Sequence, residues 1–173
     1  MILDLSQLDH GRLEAAFRIP PESPALEGFG GEVREPIDLE VSARRVGGDT
    51  CVVEAVMAGA VTRPCRRCLA PVETGFEDRF RIVYQVADRA EDTGDDDVIL
   101  LAPRTLRIDL TKPVRDRFFL ETDLYPLCRP ECAGFCTRCG RNLNEGRCDC
   151  DPEPGESRWA ALEAIRERVG TES

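Results

Sequence analysis

Ile37-Asp38-Leu39-Glu40-Val41-Ser42-Ala43-Arg44 alternates apolar and polar residues at every step. A period of two puts Ile37, Leu39, Val41 and Ala43 on one side of an extended chain and Asp38, Glu40, Ser42 and Arg44 on the other. Residues 36–46 therefore read as a half-buried β-strand. Val46-Gly47-Gly48-Asp49 carries the turn chemistry of a hairpin. The returning strand runs through Cys51, Val53, Ala55 and Met57 to Val61 and delivers the chain into Pro64-Cys65-Arg66-Arg67-Cys68. A third strand follows, with Val72, Thr74, Phe76, Asp78 and Phe80 leading into Ile82, Tyr84 and Val86. Strands in succession with short connections predict an α+β fold: an antiparallel β-sheet core with a few helices, followed by a Cys-rich C-terminal segment.

On the N-terminal side, Leu3, Leu5 and Leu8 followed by His10-Gly11 suggest a short strand or turn. Pro20-Pro21-Glu22-Ser23-Pro24 then breaks regular structure. Gly28-Phe29-Gly30-Gly31 reads as a turn; a phosphate loop would need a following Gly-Lys-Ser/Thr and a strand-to-helix setting. On the C-terminal side, residues 87–97 hold Asp88, Glu91, Asp92, Asp95, Asp96 and Asp97 and read as a solvated acidic loop without calcium-loop spacing. Val98-Ile99-Leu100-Leu101 and Leu106-Arg107-Ile108 are short strands. Asp109 is placed to cap a helix whose Leu110, Val114 and Phe118 recur at helical spacing, to about Leu120. Pro152 and Pro154 mark a linker. Ser157 can cap a last helix with Trp159, Leu162, Ile165 and Val169 on one stripe. The expected organisation is a mainly β domain at 1–127, a zinc-binding segment at 128–152 and a C-terminal helix at 153–173.

Only 6% of the 173 residues are aromatic, so the core must rest on aliphatic side chains, and a formal charge of −10 repels phosphate overall. There is one histidine, His10. No secretory pattern opens the sequence and no run of ~18 apolar residues suggests a membrane span, so a cytoplasmic protein with no membrane partner is expected. In that reducing compartment nine cysteines favour metal over disulfides.

The cysteines are spaced Cys65-x2-Cys68, Cys128-x3-Cys132-x3-Cys136-x2-Cys139 and Cys148-x-Cys150. A two-residue gap lets both thiolates face one ion, and zinc takes four such ligands in a tetrahedron. Gly140 permits the sharp turn after Cys139, and Cys148 and Cys150 lie a short hairpin beyond it. Cys136, Cys139, Cys148 and Cys150 can therefore close one site, which leaves Cys65 and Cys68 to meet Cys128 and Cys132. The expected cofactor is two structural zinc ions. An iron–sulfur cluster would use the same ligands and stays open. A redox pair would want a βαβ setting that neither Cys-x2-Cys has. Cys51, on a strand, is expected to be a buried small hydrophobe. No cluster of His, Lys and carboxylate suggests catalysis, so no enzyme is expected. Arg63, Arg66 and Arg67 give residues 62–68 a charge of +3 and residues 128–150 sum to +1, which leaves −14 for the rest. Any RNA contact is therefore expected near Arg63, Arg66 and Arg67, with a basic protein the natural partner of the acidic remainder.

Pro126-Leu127-Cys128, Cys132-Ala133-Gly134-Phe135-Cys136, Cys139-Gly140-Arg141-Asn142-Leu143-Asn144-Glu145 and Cys148-Asp149-Cys150-Asp151-Pro152 together resemble the YceD-like family of large-ribosomal-RNA accumulation proteins. Cys65-Arg66-Arg67-Cys68-Leu69-Ala70-Pro71, Ile108-Asp109-Leu110 through Val114-Arg115-Asp116, and Ser157-Arg158-Trp159-Ala160-Ala161-Leu162 are similar too. The resemblance spans roughly residues 36–169. It implies a bacterial, non-enzymatic factor needed for the synthesis, processing or stability of large-subunit ribosomal RNA. Its implied partners are a basic ribosomal protein or a pre-ribosomal particle. It also implies that Cys65 and Cys68 belong to the common core, because some members lack the Cys136–Cys150 set. A thiol-based zinc donor or redox sensor serving ribosomal proteins is the alternative.

Overall fold

A computed structural model of the chain describes residues 1–86 and 98–150. The acidic run at 87–97 and the C-terminal helix expected at 157–169 lie outside the described residues. The alternating stretch is strand β3 (Ile37–Val46), and it forms a hairpin with β4 (Thr50–Pro64) through Gly47, at φ +68°. Strand β5 (Pro71–Val86) pairs antiparallel along the whole of β4, from Thr50 opposite Gln85 to Pro64 opposite Pro71.

The N-terminal stretch is more ordered than its sequence suggests. It contains β1 (Ile2–Asp4), a 3-10 turn at Leu5–His10, and β2 (Arg12–Ile19), which adds to the free edge of β3. Leu13, Ala15 and Phe17 of β2 are only half-buried, as befits an edge strand, so its alternation is weak. The sheet is also not wholly antiparallel. Strand β6 (Val98–Leu101) lies parallel to β5, with Val83 opposite Val98, giving the order β2-β3-β4-β5-β6. A parallel neighbour cannot be reached through a tight hairpin. Strand β7 (Arg107–Asp109) pairs with β1 in a separate two-stranded ribbon.

Cross-strand register explains the core. Phe17, Leu39 and Met57 share a row, as do Leu13, Ala43, Val53 and Ile82. Leu39, Ala43, Val53 and Met57 are fully buried. Gly59 sits where the side chain of Ile37 crosses; a Cβ there would meet it at 3.0 Å. Helix α1 (Thr111–Glu121) covers this face with Val114 and Phe118. The Phe118 ring centre lies 4.9 Å from that of Phe29 and 5.8 Å from that of Phe76, both edge-on, an arrangement that adds to simple burial. Asp78 interrupts the apolar face of β5 in the row of Met57, and α1 explains it. Arg117 donates to both Asp78 carboxylate oxygens, at 2.8 and 2.9 Å, so a buried charge is paired. The helix starts one residue later than a cap at Asp109 predicts. Asp109 precedes the cap position, yet its carboxylate still accepts from the Thr111 N–H and hydroxyl, and those bonds hold its pKa low.

The chain forms two compact units, Met1–Cys132 and Ala133–Ser173. The Cys-rich segment is therefore shared: Cys128 and Cys132 belong with the sheet. No helix among the described residues is long and apolar enough to cross a membrane.

Candidate metal centres

Eight of the nine cysteines gather as two groups of four. In each group the sulfurs all lie within 4.8 Å of one another: Cys65, Cys68, Cys128 and Cys132 in one; Cys136, Cys139, Cys148 and Cys150 in the other. Cys51 stands apart, buried on β4, where burial raises its thiol pKa.

Both groups start from the same backbone knuckle. Cys65 N donates to Ala70 O at 2.7 Å and Leu69 N to Cys65 O at 3.0 Å; Cys136 N donates to Arg141 O at 2.8 Å and Gly140 N to Cys136 O at 2.8 Å. The residue after the second cysteine is left-handed in each, Gly140 at φ +72° and Leu69 at φ +60°. Glycine takes that conformation without cost, whereas leucine pays roughly 1 kcal/mol.

In the first group the knuckle closes the β4–β5 hairpin, and the other two ligands come from the chain after α1. Three bonds pin that chain to the knuckle. Arg63 Nη1 donates to Leu124 O at 3.2 Å, Arg66 N to Pro126 O at 3.0 Å, and Arg67 Nη1 to Cys132 O at 2.9 Å. Amide N–H groups of Arg67 and Cys128 aim at the Cys65 sulfur, at 3.5 and 3.4 Å. Cys65 and Cys132 are almost wholly buried, while Cys128 is exposed.

In the second group one hairpin supplies everything. Phe135 pairs with Asn142, and Leu143 N donates to Gly134 O at 2.9 Å. Asn142 and Asn144 brace the turn through side chains: Asn142 Oδ1 accepts from Asn144 N at 3.0 Å and Asn144 Oδ1 from Ala133 N at 2.8 Å. The sequence predicts a short hairpin here but not its side-chain braces, although Asn flanking a turn is the signal for such bonds. Cys139 is exposed and its three partners are half-buried.

The sulfur spacing tests the fit to a metal. Sulfurs at ~2.3 Å from one tetrahedral ion stand ~3.8 Å apart. Cys65 and Cys132 are separated by 3.8 Å and Cys68 and Cys128 by 3.6 Å, far from the ~2.05 Å of a disulfide. Each group can thus hold one metal ion. The electrostatics agree. The Cys68 N–H, followed by those of Arg67 and Cys128, brings Cys65 down to about 6, and the Cys139 and Arg138 N–H groups bring Cys136 down to about 6. Cys128 is pushed up to about 12 chiefly by the Cys132 thiol, and Cys150 to about 12 chiefly by that of Cys139. Four thiols cannot all ionise together without a cation among them, and a divalent ion takes the place of their protons.

The three arginines near the first group separate in the structure. Arg66 and Arg67 are exposed, but Arg63 is buried, with its guanidinium 4.3 Å from the centre of the Phe29 ring. Gly31 makes this possible: a Cβ there would stand 2.7 Å from Arg63 Cγ and 2.6 Å from Thr62 O. The glycine run is thus a close backbone approach as well as a turn. Arg63 is a strut between β4 and the Leu124 carbonyl, out of reach of a large ligand.

A five-stranded sheet whose hairpin and helix extension converge on four thiols, with a second four-thiol hairpin following, defines a small cysteine-knuckle protein. A family model described as large ribosomal RNA subunit accumulation protein YceD matches residues 53–166, and the chain belongs to that family. A protein of Mycobacterium tuberculosis, described as uncharacterised, is 33% identical over 145 residues, covering 79% of this chain and 64% of its own length. This chain thus spans less than two thirds of its mycobacterial relatives. A Zea mays protein named large ribosomal RNA subunit accumulation protein YCED homolog 1, chloroplastic, is 26% identical over 155 residues, 73% of this chain and 53% of its own. An Arabidopsis thaliana protein of the same name is 34% identical over 74 residues, 43% of this chain and 23% of its own. No solved structure gives a significant match.

Proposed function

We propose that this chain is a non-enzymatic accessory factor in the accumulation of large-subunit ribosomal RNA, built around two structural zinc ions and working in the cytoplasm. The observation that carries the reading is the pair of four-thiol groups in a chain of this family. A tetrahedral ion with four thiolates has no position left for water, which suits a structural ion and not a catalytic one. The acidic body, −14 outside residues 62–68 and 128–150, suits a basic ribosomal protein or a pre-ribosomal particle that presents one. RNA contact is assigned to Arg66 and Arg67 beside the first group, since Arg63 is buried.

Native mass spectrometry of the purified chain is expected to find two zinc ions; a folded, reduced, metal-free protein would sink the zinc reading. Depleting the protein is expected to lower large-subunit ribosomal RNA, with rescue by the wild type and not by Cys65→Ser. Unchanged RNA after depletion would remove the functional reading. The exposure of Cys128 and Cys139 favours a second reading, a zinc donor or redox sensor. Rapid transfer of zinc from the folded protein to a chromophoric chelator would support it over the first.

A further inference from the structure

The segment between α1 and Cys128 is tied down residue by residue. Asp123 Oδ1 accepts from Tyr125 N at 2.8 Å, Leu124 O accepts from the Arg63 guanidinium at 3.2 Å, and Pro126 O accepts from Arg66 N at 3.0 Å. Two of its carbonyls are therefore anchored to β4 and to the first knuckle. Yet the Tyr125 side chain in the middle is 67% exposed. A large aromatic ring is normally buried or at an interface, and an exposed one on a rigid mount is costly unless something covers it. The mount also recruits Arg63, a buried cation that stabilises no charge of its own here and whose Nε has no hydrogen-bond partner. Among its contacts are the Phe29 face and the Leu124 carbonyl of this loop.

The residue that follows the ring is bonded to the first knuckle. The bond between Arg66 N and Pro126 O puts Arg66 within one residue of Tyr125, and Arg66 and Arg67 are exposed. An aromatic face beside arginines is what unpaired nucleotides take: the ring stacks on a base while the guanidinium meets phosphate. Arg66 and Arg67 offer contacts that a phosphate can use and a basic protein cannot, even though the chain as a whole is acidic.

We infer that Tyr125 is a base-stacking platform for unpaired RNA, that Arg66 supplies the adjoining phosphate contact, and that Arg63 is the positioning residue that holds the platform. The inference rests on the proposed RNA contact near the first cysteine group and deepens it by naming its substrate form, single-stranded RNA, and its stacking residue. The platform reads any base, because every base offers a π-face, and it disfavours duplex, whose bases are already stacked.

The test uses the full, zinc-loaded chain and a fluorescent oligouridine of about twelve nucleotides, with a duplex RNA of equal length alongside. Tyr125→Ala is expected to weaken single-strand binding about tenfold and Tyr125→Phe to preserve it, with zinc content and unfolding temperature unchanged in both. Arg66→Ala is expected to flatten the salt dependence by about one phosphate contact. Ultraviolet crosslinking is expected to mark the peptide that contains Tyr125. Wild-type affinity in Tyr125→Ala, or a crosslink elsewhere, overturns the platform. If Arg66→Ala weakens binding and Tyr125→Ala does not, the platform falls while the RNA contact stands. If the wild type binds neither RNA, both fall. If Tyr125→Ala instead loses a protein from extract with RNA binding intact, the ring serves a protein interface and the inference is wrong.

Discussion

The two cysteine groups share a knuckle and differ in reach. The first joins residues 67 and 60 positions apart in pairs, Cys65 with Cys132 and Cys68 with Cys128. The second draws all its ligands from residues 136–150. Closing a long loop removes more freedom from the unfolded chain than closing a short one, though the cost grows only slowly with length. The larger difference lies in what each loop contains. The loop closed by the first group holds β5, β6, β7 and α1, so that group clips the sheet to the chain that follows the helix. The second encloses only its own turn. Equal chemistry therefore has unequal structural consequence.

The largest expected effect is at the clip. Cys65→Ser removes a buried ligand and should cost about 4 kcal/mol or more, because loss of a structural ion is among the few single changes of that size. Amide exchange should accelerate throughout β3 and β4; wild-type protection there would show that the clip does not hold the sheet. Arg63→Met tests the strut. It loses a charged hydrogen bond to Leu124 O and a cation over Phe29, together about 2 kcal/mol, and should make the first group yield its metal to a chelator sooner while sparing the second. Equal lability of both ions in that variant would contradict the separation.

Smaller effects belong to the second group. Gly140→Ala meets no atom within 4 Å of the new Cβ, so its cost is conformational only, about 1 kcal/mol, and local to residues 133–150. Cys139→Ser should empty the second group and deprotect the amides of Leu143 and Glu145, with less than about 0.5 kcal/mol change in sheet stability by denaturant titration. A global loss of protection from that single change would merge the two groups into one cooperative unit.

The strands of the sheet's centre were legible because a half-buried strand writes its two faces into the sequence with period two, as Ile37 to Arg44 does. The ligand groups were legible for a related reason: a knuckle needs its two cysteines two residues apart, and the rest follow by proximity. What escaped was set by distant partners. Strand β2 is an edge with half-buried apolar residues, and only its pairing with β3 identifies it. The partner of Asp78, a carboxylate on the apolar face of β5, comes from Arg117 of α1, far away in sequence. The parallel placement of β6 beside β5 is recorded by no local pattern. Arg63 shows the same limit at the site. By charge and position it belongs with Arg66 and Arg67, and only the close approach of Gly31 and Phe29 withdraws it into the interior.

The reach of the first group also sets a timetable during synthesis. Cys132 leaves the ribosome 67 residues after Cys65, and at ~5–20 residues per second that is roughly 3–13 s in which the Cys65–Cys68 knuckle is only half a metal site. The second group completes itself roughly 0.7–3 s after its first cysteine. A nascent chain therefore presents a two-thiol hairpin to the cell's oxidants and metal buffers while the 67 residues from Cys65 to Cys132 emerge. Mischarging or oxidation during translation should concentrate at Cys65 and Cys68, the pair on which the fold depends most.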